Sequence, residues 1–188
     1  MTKAVWKPGT MLYPAPAVLV SCGDRPENYN IITIAWTGTT CSEPAMAYVS
    51  IRPSRHSHSL IERTGEFVIN LTTKKLAFAV DYCGVKSGKD IDKFAKLKLT
   101  PLKGLHVSAP LIKESPVNIE CRVTDCKRLG THDMFMAKVL CVHADKRYIS
   151  SKGAFDFHAT EPICYSHGKY YLLGRELGYF GFSVKKKK

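Results

Sequence analysis

The sequence predicts a mainly β protein, a Greek-key β-barrel with a few short helices laid on it, and three observations carry that prediction. Short runs rich in β-branched and aromatic residues recur along the chain, bounded by Gly, Pro, Ser or Asn turn signals. The clearest of them, Val117 to Arg128, alternates apolar and polar side chains and is turned back through Gly130 into a second apolar run, Met134 to His143. Stretches with helical start and stop signals are few and short. Many short strands, frequent turns and few helices together define a barrel rather than a layered α/β fold.

In chain order, residues 1 to 16 read as irregular, because Pro8, Pro14 and Pro16 forbid a long element. Ala17 to Cys22 is a compact apolar strand that stops at Gly23. After the polar connection Asp24 to Tyr29, the run Ile31 to Trp36 is apolar on both alternating faces, so the strand is expected to be covered on both sides by a ligand, a helix or another subunit. Ala45 to Ile51 and Glu66 to Leu71 follow as strands. Thr72-Thr73 caps a helix expected through Lys74 to Tyr82 and ended by Gly84, and Ser87 to Phe94 reads as a glycine turn entering another short helix.

Within Val117 to Arg128, the residues Val117, Ile119, Cys121 and Val123 point inward and Asn118, Glu120, Arg122 and Thr124 point to solvent. Short strands are expected at Tyr148 to Ser150 and Pro162 to Tyr165, with Lys169 to Leu173 pairing across Ser166-His167-Gly168. The aromatic, glycine-rich segment Gly174 to Phe182 suits packing on a partner surface.

At 188 residues and 45% hydrophobic content, the chain is sized for one domain with its own core, assigned to residues 1–184. Residues 185–188 are a lysine tail expected to be disordered. The N-terminus lacks the apolar centre of a signal peptide, and no run is long enough to span a bilayer, so a soluble cytoplasmic protein with no membrane contact is expected. Seven cysteines without a Cys-x-x-Cys pair argue against a disulfide framework or a zinc ribbon and fit a reducing compartment. Four charges of the net +12 lie in the tail, which leaves +8 for the body and suits an anionic ligand.

The densest chemistry lies between two strands. Arg52-Pro53-Ser54-Arg55-His56-Ser57-His58-Ser59 gathers two guanidinium groups, three hydroxyls and two imidazoles. Ser59-Leu60-Ile61-Glu62 has the spacing of a capping box and Thr64-Gly65 supplies a stop. The loop is therefore expected to end at a helix N-terminus, whose free N–H groups and partial positive charge favour a phosphate.

The order of these segments resembles the flavin reductase-like family of FMN-binding split β-barrels. The resemblance rests on Asn30-x-x-Thr33-x-x-Trp36, the turn at Ser42 to Pro44, Val49-Ser50-Ile51-Arg52, Arg55-x-Ser57 and Gly65-x-Phe67-Val68-x-Asn70. Gly130-Thr131-His132 followed by the strand to Val139 is similar to that family's Gly-Asp-His turn, and the likeness runs from about Pro14 to Val142. It implies a Greek-key split β-barrel with FMN as cofactor, NAD(P)H as co-substrate, and a homodimer holding FMN near the interface. It also implies residue roles. Arg55 and Ser57 meet the phosphate, and Lys93 adds charge there or beside the ring. Asn30, Thr33 and Trp36 meet the ring edges, helped by backbone groups at Ala35 and Ser50, with Asn70 a further cofactor ligand. His132 is the catalytic residue, placed where a nicotinamide arrives.

The function so implied is a flavoprotein that takes hydride from NAD(P)H and passes electrons to free flavin or to a redox-partner protein. A flavoredoxin-like electron carrier without NAD(P)H activity is the alternative. The chain departs from the family pattern at Thr131, where an acidic residue is usual, and at Ala137, where glycine is common.

Other chemistries find less support. No dinucleotide-binding glycine fingerprint, phosphate-binding loop, nucleophile elbow or His-Glu-x-x-His is present. Cys141-x-His143 puts a thiol and an imidazole on one strand face, with His158 and Cys164 available from elsewhere, but the spacing assigns no metal ligands. Positive charge and 10% aromatic residues would suit a single-strand nucleic-acid binder, yet bases and aromatics do not interleave along any strand as a stacking platform requires, and no nucleic-acid partner is expected.

Overall fold

A computed structural model describes residues 2–185, so Lys186 to Lys188 of the predicted tail lie outside the described residues. Among the described residues, twelve strands and three α-helices follow one another. They are β1 Ala15–Pro16, β2 Val18–Cys22, β3 Asn30–Ile34, β4 Thr37–Cys41, β5 Met46–Ile51, α1 His56–Thr64, β6 Glu66–Asn70, α2 Ala77–Val85 and α3 Lys93–Leu97. Then come β7 Pro101–Leu102, β8 Leu111–Ile112, β9 Val117–Arg128, β10 Asp133–Ala144, β11 Ile163–Ser166 and β12 Lys169–Leu172.

Seven strands form one antiparallel sheet in the order β3-β2-β6-β9-β10-β5-β4. Its two edge strands, β3 and β4, are consecutive in sequence and joined only by Ala35 and Trp36, and β3 also approaches β5. The sheet therefore curls into a half-barrel, the split barrel that the resemblance implied. Its concave side is filled by Val20, Ile32, Ile34, Val49, Phe67 and Phe135. On the other side of β2 and β3, Leu19 and Ile31 pack against Val80 and Cys83 of α2 and Phe94 of α3. So β3 is covered on both faces, as its apolar pattern required, and the cover on the second face is helical. A small sheet, β1-β11-β12, stands beside the barrel, and β7 pairs with β8.

The structure corrects several local expectations. The run Ile31 to Trp36 is not one strand. It ends at Ile34, and after the corner at Ala35-Trp36 the chain enters β4, whose Thr- and Gly-rich sequence gave no strand signal. Helix α1 starts earlier than the Ser-x-x-Glu spacing suggested. Its N-cap is Arg55, and Ser59 lies inside the first turns with its hydroxyl donating to His56 O, while Gly65 closes the helix in the left-handed conformation at φ 66° as expected. Gly84 lies within α2 rather than ending it. Tyr148 to Ser150 is not a strand but the end of a 3-10 turn, followed by an isolated bridge between Ile149 and Phe155.

The most instructive correction concerns the outer face of β9. Asn118 and Glu120 were expected in solvent but are buried, because the segment between β7 and β9 folds back over them. Glu120 accepts hydrogen bonds from the backbone N–H groups of Leu105, His106 and Val107. Asn118 donates to Asn70 and to Ile112 O. Polar residues tolerate burial here because the covering loop satisfies them. Among the described residues no helix is long and apolar enough to cross a membrane.

Candidate functional site

The corner that breaks the first strand run builds a cleft. Ala35 and Trp36 leave the sheet between β3 and β4, Trp36 accepts a hydrogen bond at its carbonyl from Ser50 N at 2.8 Å, and its ring stands 6.2 Å from that of Tyr13. A cavity of about 370 Å³ opens beside it, lined by Thr33, Ala35, Trp36, Ser50, Arg55 and His132 among the predicted residues. That volume lies within the range of small-molecule sites. The far wall brings residues the sequence did not assign to a site, Asp81, Gly84 and Val85 of α2 with Tyr165 of β11 and Tyr170 of β12. No local pattern marks these, because they reach the cleft through tertiary packing of segments far apart in the chain.

A second cavity of about 200 Å³ adjoins the first and shares Ile32 and Arg55 with it. It lies at the N-terminus of α1, where Ser54, Arg55, His56 and Ser57 meet Asn30, Lys86, Gly88 and Lys93. Every ionisable side chain around it is basic. Asn30 Nδ2 donates to Ser57 Oγ at 2.8 Å, which holds the hydroxyl in place. The His56 imidazole is pushed below its usual pKa, first by burial and then by the positive charge of Lys89 and Lys93.

Lys93 is the most deeply buried cation of this group. It is 2% exposed, the first residue of α3, and its ammonium donates to Ile31 O at 2.7 Å and Cys83 O at 3.2 Å. Its head group is thus bonded to two backbone carbonyls rather than turned to solvent. Burial pushes its pKa down, as desolvation of a cation must. An ammonium has three donors, and two are spent on carbonyls. Arg55 is anchored in a similar way, Nη2 donating to Gly84 O at 2.6 Å, near the C-terminal end of α2.

The Gly88 backbone passes so close to Asn30 that a Cβ there would lie 2.1 Å from Asn30 Oδ1. Thr33 lines the first cleft, but its hydroxyl is already committed to Val80 O, so it acts as wall rather than as donor into the space.

Asn70 does not belong to this site. Its amide donates to Leu19 O, Ser21 Oγ and Val68 O and accepts from Ile112 N and Asn118 Nδ2, a fully buried network that knits β2, β6, β8 and β9. It lines neither cavity. Lone Asn residues at strand ends carry no sequence signal that separates a ligand from such a network.

His132 stands between the first cleft and a larger one of about 840 Å³ on the other side of Trp36, which is bounded by Thr10 to Leu12, Tyr48 and Met134. Its Nδ1 lies 2.9 Å from Thr131 Oγ1. Burial and then the nearby Arg52 guanidinium lower its pKa, which favours the neutral imidazole.

A half-barrel carrying an aromatic cleft that runs into a carboxylate-free basic pocket places this chain among the split-barrel proteins. A family model described as "Flavin reductase like domain" matches residues 10–174, and the chain belongs to that family. A solved flavoredoxin of Desulfovibrio vulgaris is similar to it with a TM-score of 0.90 and 31% identity, covering 98% of this chain and 100% of that one. A putative flavin reductase with a split barrel domain from Shewanella frigidimarina has a TM-score of 0.79 and 23% identity over 88% of this chain and 85% of its own, a likeness of fold. An uncharacterized protein of Archaeoglobus fulgidus is 37% identical over 135 residues, 71% of this chain and 75% of the relative. Family membership assigns the chain to flavin-related redox chemistry.

Proposed function

We propose that this protein binds FMN, accepts reducing equivalents from NAD(P)H and delivers them to free flavin or to a partner protein. The observation that carries the reading is the junction at Arg55, where a pocket whose ionisable groups are all basic meets a cleft walled by Trp36, Tyr165 and Tyr170. A flavin mononucleotide has that bipartite chemistry, a dianionic tail joined to a flat, largely apolar ring system.

The residues fit the group. Arg55, Ser57 and the free donor of Lys93, with the first N–H groups of α1, suit a phosphate. Trp36 and the backbone around Ala35 and Ser50 suit one edge of the ring. When bound, FMN supplies an electron acceptor that takes hydride from a nicotinamide and releases electrons onward. The chain's own part is to orient the two rings and keep water from between them. His132, neutral and standing between the two clefts, is positioned to hold a nicotinamide against the ring edge without moving a proton.

A homodimer suits the unpartnered apolar segments at both ends of the described chain, where Val5, Leu12, Leu177 and Phe180 are almost wholly exposed. Residues 1–184 are read as one domain, a reading supported by a family match that spans residues 10–174. All seven cysteines are free, which suits work in the cytoplasm.

The second reading, an FMN electron carrier inert to NAD(P)H, is favoured by the 0.90 TM-score to a flavoredoxin. One anaerobic cuvette separates them. A yellow protein bleached by NADH or NADPH supports the reductase, and a yellow protein bleached only by a reducing partner or dithionite supports the carrier. A colourless protein that does not take up FMN would refute both.

A further inference from the structure

On the convex face of the sheet, outside the lining of both cavities around Arg55, three potential metal ligands converge. Glu120 of β9 and Cys141 of β10 are directly paired across the hairpin, and His143 follows two residues later on the same strand. Their donor atoms all lie within 4.8 Å of one another. The convergence depends on an irregularity. Between Val139 and Cys141 the register shifts by one, leaving Leu140 unpaired, and this bulge brings Cys141 opposite Glu120.

We propose that Glu120, Cys141 and His143 form a binding site for a zinc-class divalent ion. The donor set is one carboxylate, one thiol and one imidazole, the mixture that suits a borderline ion of this kind over magnesium or calcium. One thiolate, one carboxylate and a neutral imidazole balance the two charges of the ion, which matters in a protein whose body is otherwise basic. The supporting shell is already built. Glu120 is 0% exposed, and its oxygens are fixed by the N–H groups of Leu105, His106 and Val107, so the carboxylate is oriented before any ion arrives. His143, with 29% of its side chain exposed, and the half-buried Cys141 leave a way in from solvent. A water completes four ligands.

His143 Nε2 and Glu120 Oε1 are 2.5 Å apart, closer than two ligands of one tetrahedral ion, which lie about 3.3 Å from each other. The imidazole has to withdraw by less than an ångström, and its exposure permits that while Glu120 stays held. Coordination takes the Cys141 thiol proton to solvent and selects the Nδ1–H tautomer of His143. The bound ion would clamp the 105–107 loop to both strands of the hairpin.

The test uses full-length protein with its flavin content measured. Dialysis against Zn²⁺ followed by elemental analysis is expected to give one ion per chain. X-ray absorption at the zinc edge is expected to show one sulfur at about 2.3 Å with nitrogen and oxygen at about 2.0 to 2.2 Å. Cys141→Ser, nearly isosteric, should fold normally, lose the sulfur scatterer and bind at least about tenfold more weakly, as should His143→Ala. Stoichiometry no higher than in the Cys141→Ser/His143→Ala double variant, or sulfur scattering that survives Cys141→Ser, would overturn the assignment.

Discussion

His58 Nε2 lies 2.8 Å from Asp133 Oδ2, with both side chains less than a tenth exposed, so the helix that carries the basic pocket is tied directly to the strand that begins beside His132. The imidazole also packs edge-on against Phe135 at 5.1 Å. One contact thus links the two halves of the candidate site directly.

Replacing His58 by Ala leaves Asp133 buried without its partner. The expected cost is about 2–4 kcal/mol of stability, read as a lowered urea midpoint with an unchanged slope. Asp133→Asn, which keeps a hydrogen-bonding group, should cost less than half as much.

Arg55→Ala should leave the circular dichroism of the folded protein intact and weaken FMN binding by about 1.5–3 kcal/mol, roughly ten- to a hundredfold, measured by flavin fluorescence quenching. Unchanged affinity would remove Arg55 from the phosphate pocket. Its anchor on Gly84 O predicts that Arg55→Lys does not restore full affinity, because a point charge replaces a fork.

Gly88→Ala forces a methyl group to within 2.1 Å of Asn30 Oδ1 unless the loop withdraws. Because Asn30 holds Ser57, the displacement should propagate to the pocket and lower FMN affinity several-fold with little change in the melting temperature. A drop in melting temperature with affinity intact would show that Gly88 serves only the fold.

Asn70→Ala should do the reverse. Five buried hydrogen bonds meet at its amide, and their loss is expected to cost about 2–4 kcal/mol while folded molecules retain normal FMN affinity. Denaturation with flavin titration on the same sample distinguishes the two effects.

Acid stability should carry the mark of Asp24, whose carboxylate is held at about 2 by hydrogen bonds from Arg63 and Asn28, against an ordinary 3.8. Above pH 3.8 the group is ionised in both folded and unfolded chains and its contribution is complete. Between pH 3.8 and about 2 the unfolded chain takes up the proton first, and that contribution disappears. Asp24→Asn should therefore lower the urea midpoint at neutral pH, and the gap to wild type should close as pH falls through this window.

What the sequence disclosed and what it hid divide along one physical line. Val117 to Arg128 is recovered to the residue because its alternation is a local property of the strand. Arg55, Ser57, Trp36 and His132 were picked out through segment order, and the fold places all four around adjoining clefts. Glu120 and Asn118 were misread because the loop that buries them comes from earlier in the chain and leaves no trace in their own alternation. Asn70 failed for the same reason, its partners being spread from Leu19 to Asn118. Ser59 was misread for the opposite one. A good local capping pattern lost to a helix that had already begun at His56.

The irregularity at Leu140 has a counterpart. Between Met136 and Ala137 the pairing skips Thr124 on β9, and each skip falls just past the last residue paired to a third strand, Arg122 with β6 and Lys138 with β5. Because one surplus residue sits on each strand, the two offsets cancel and the long ribbon ends in step with its beginning. The ribbon is thereby divided into two stretches, one in register with each neighbour, and deleting either surplus residue alone would leave those neighbours contending for incompatible alignments.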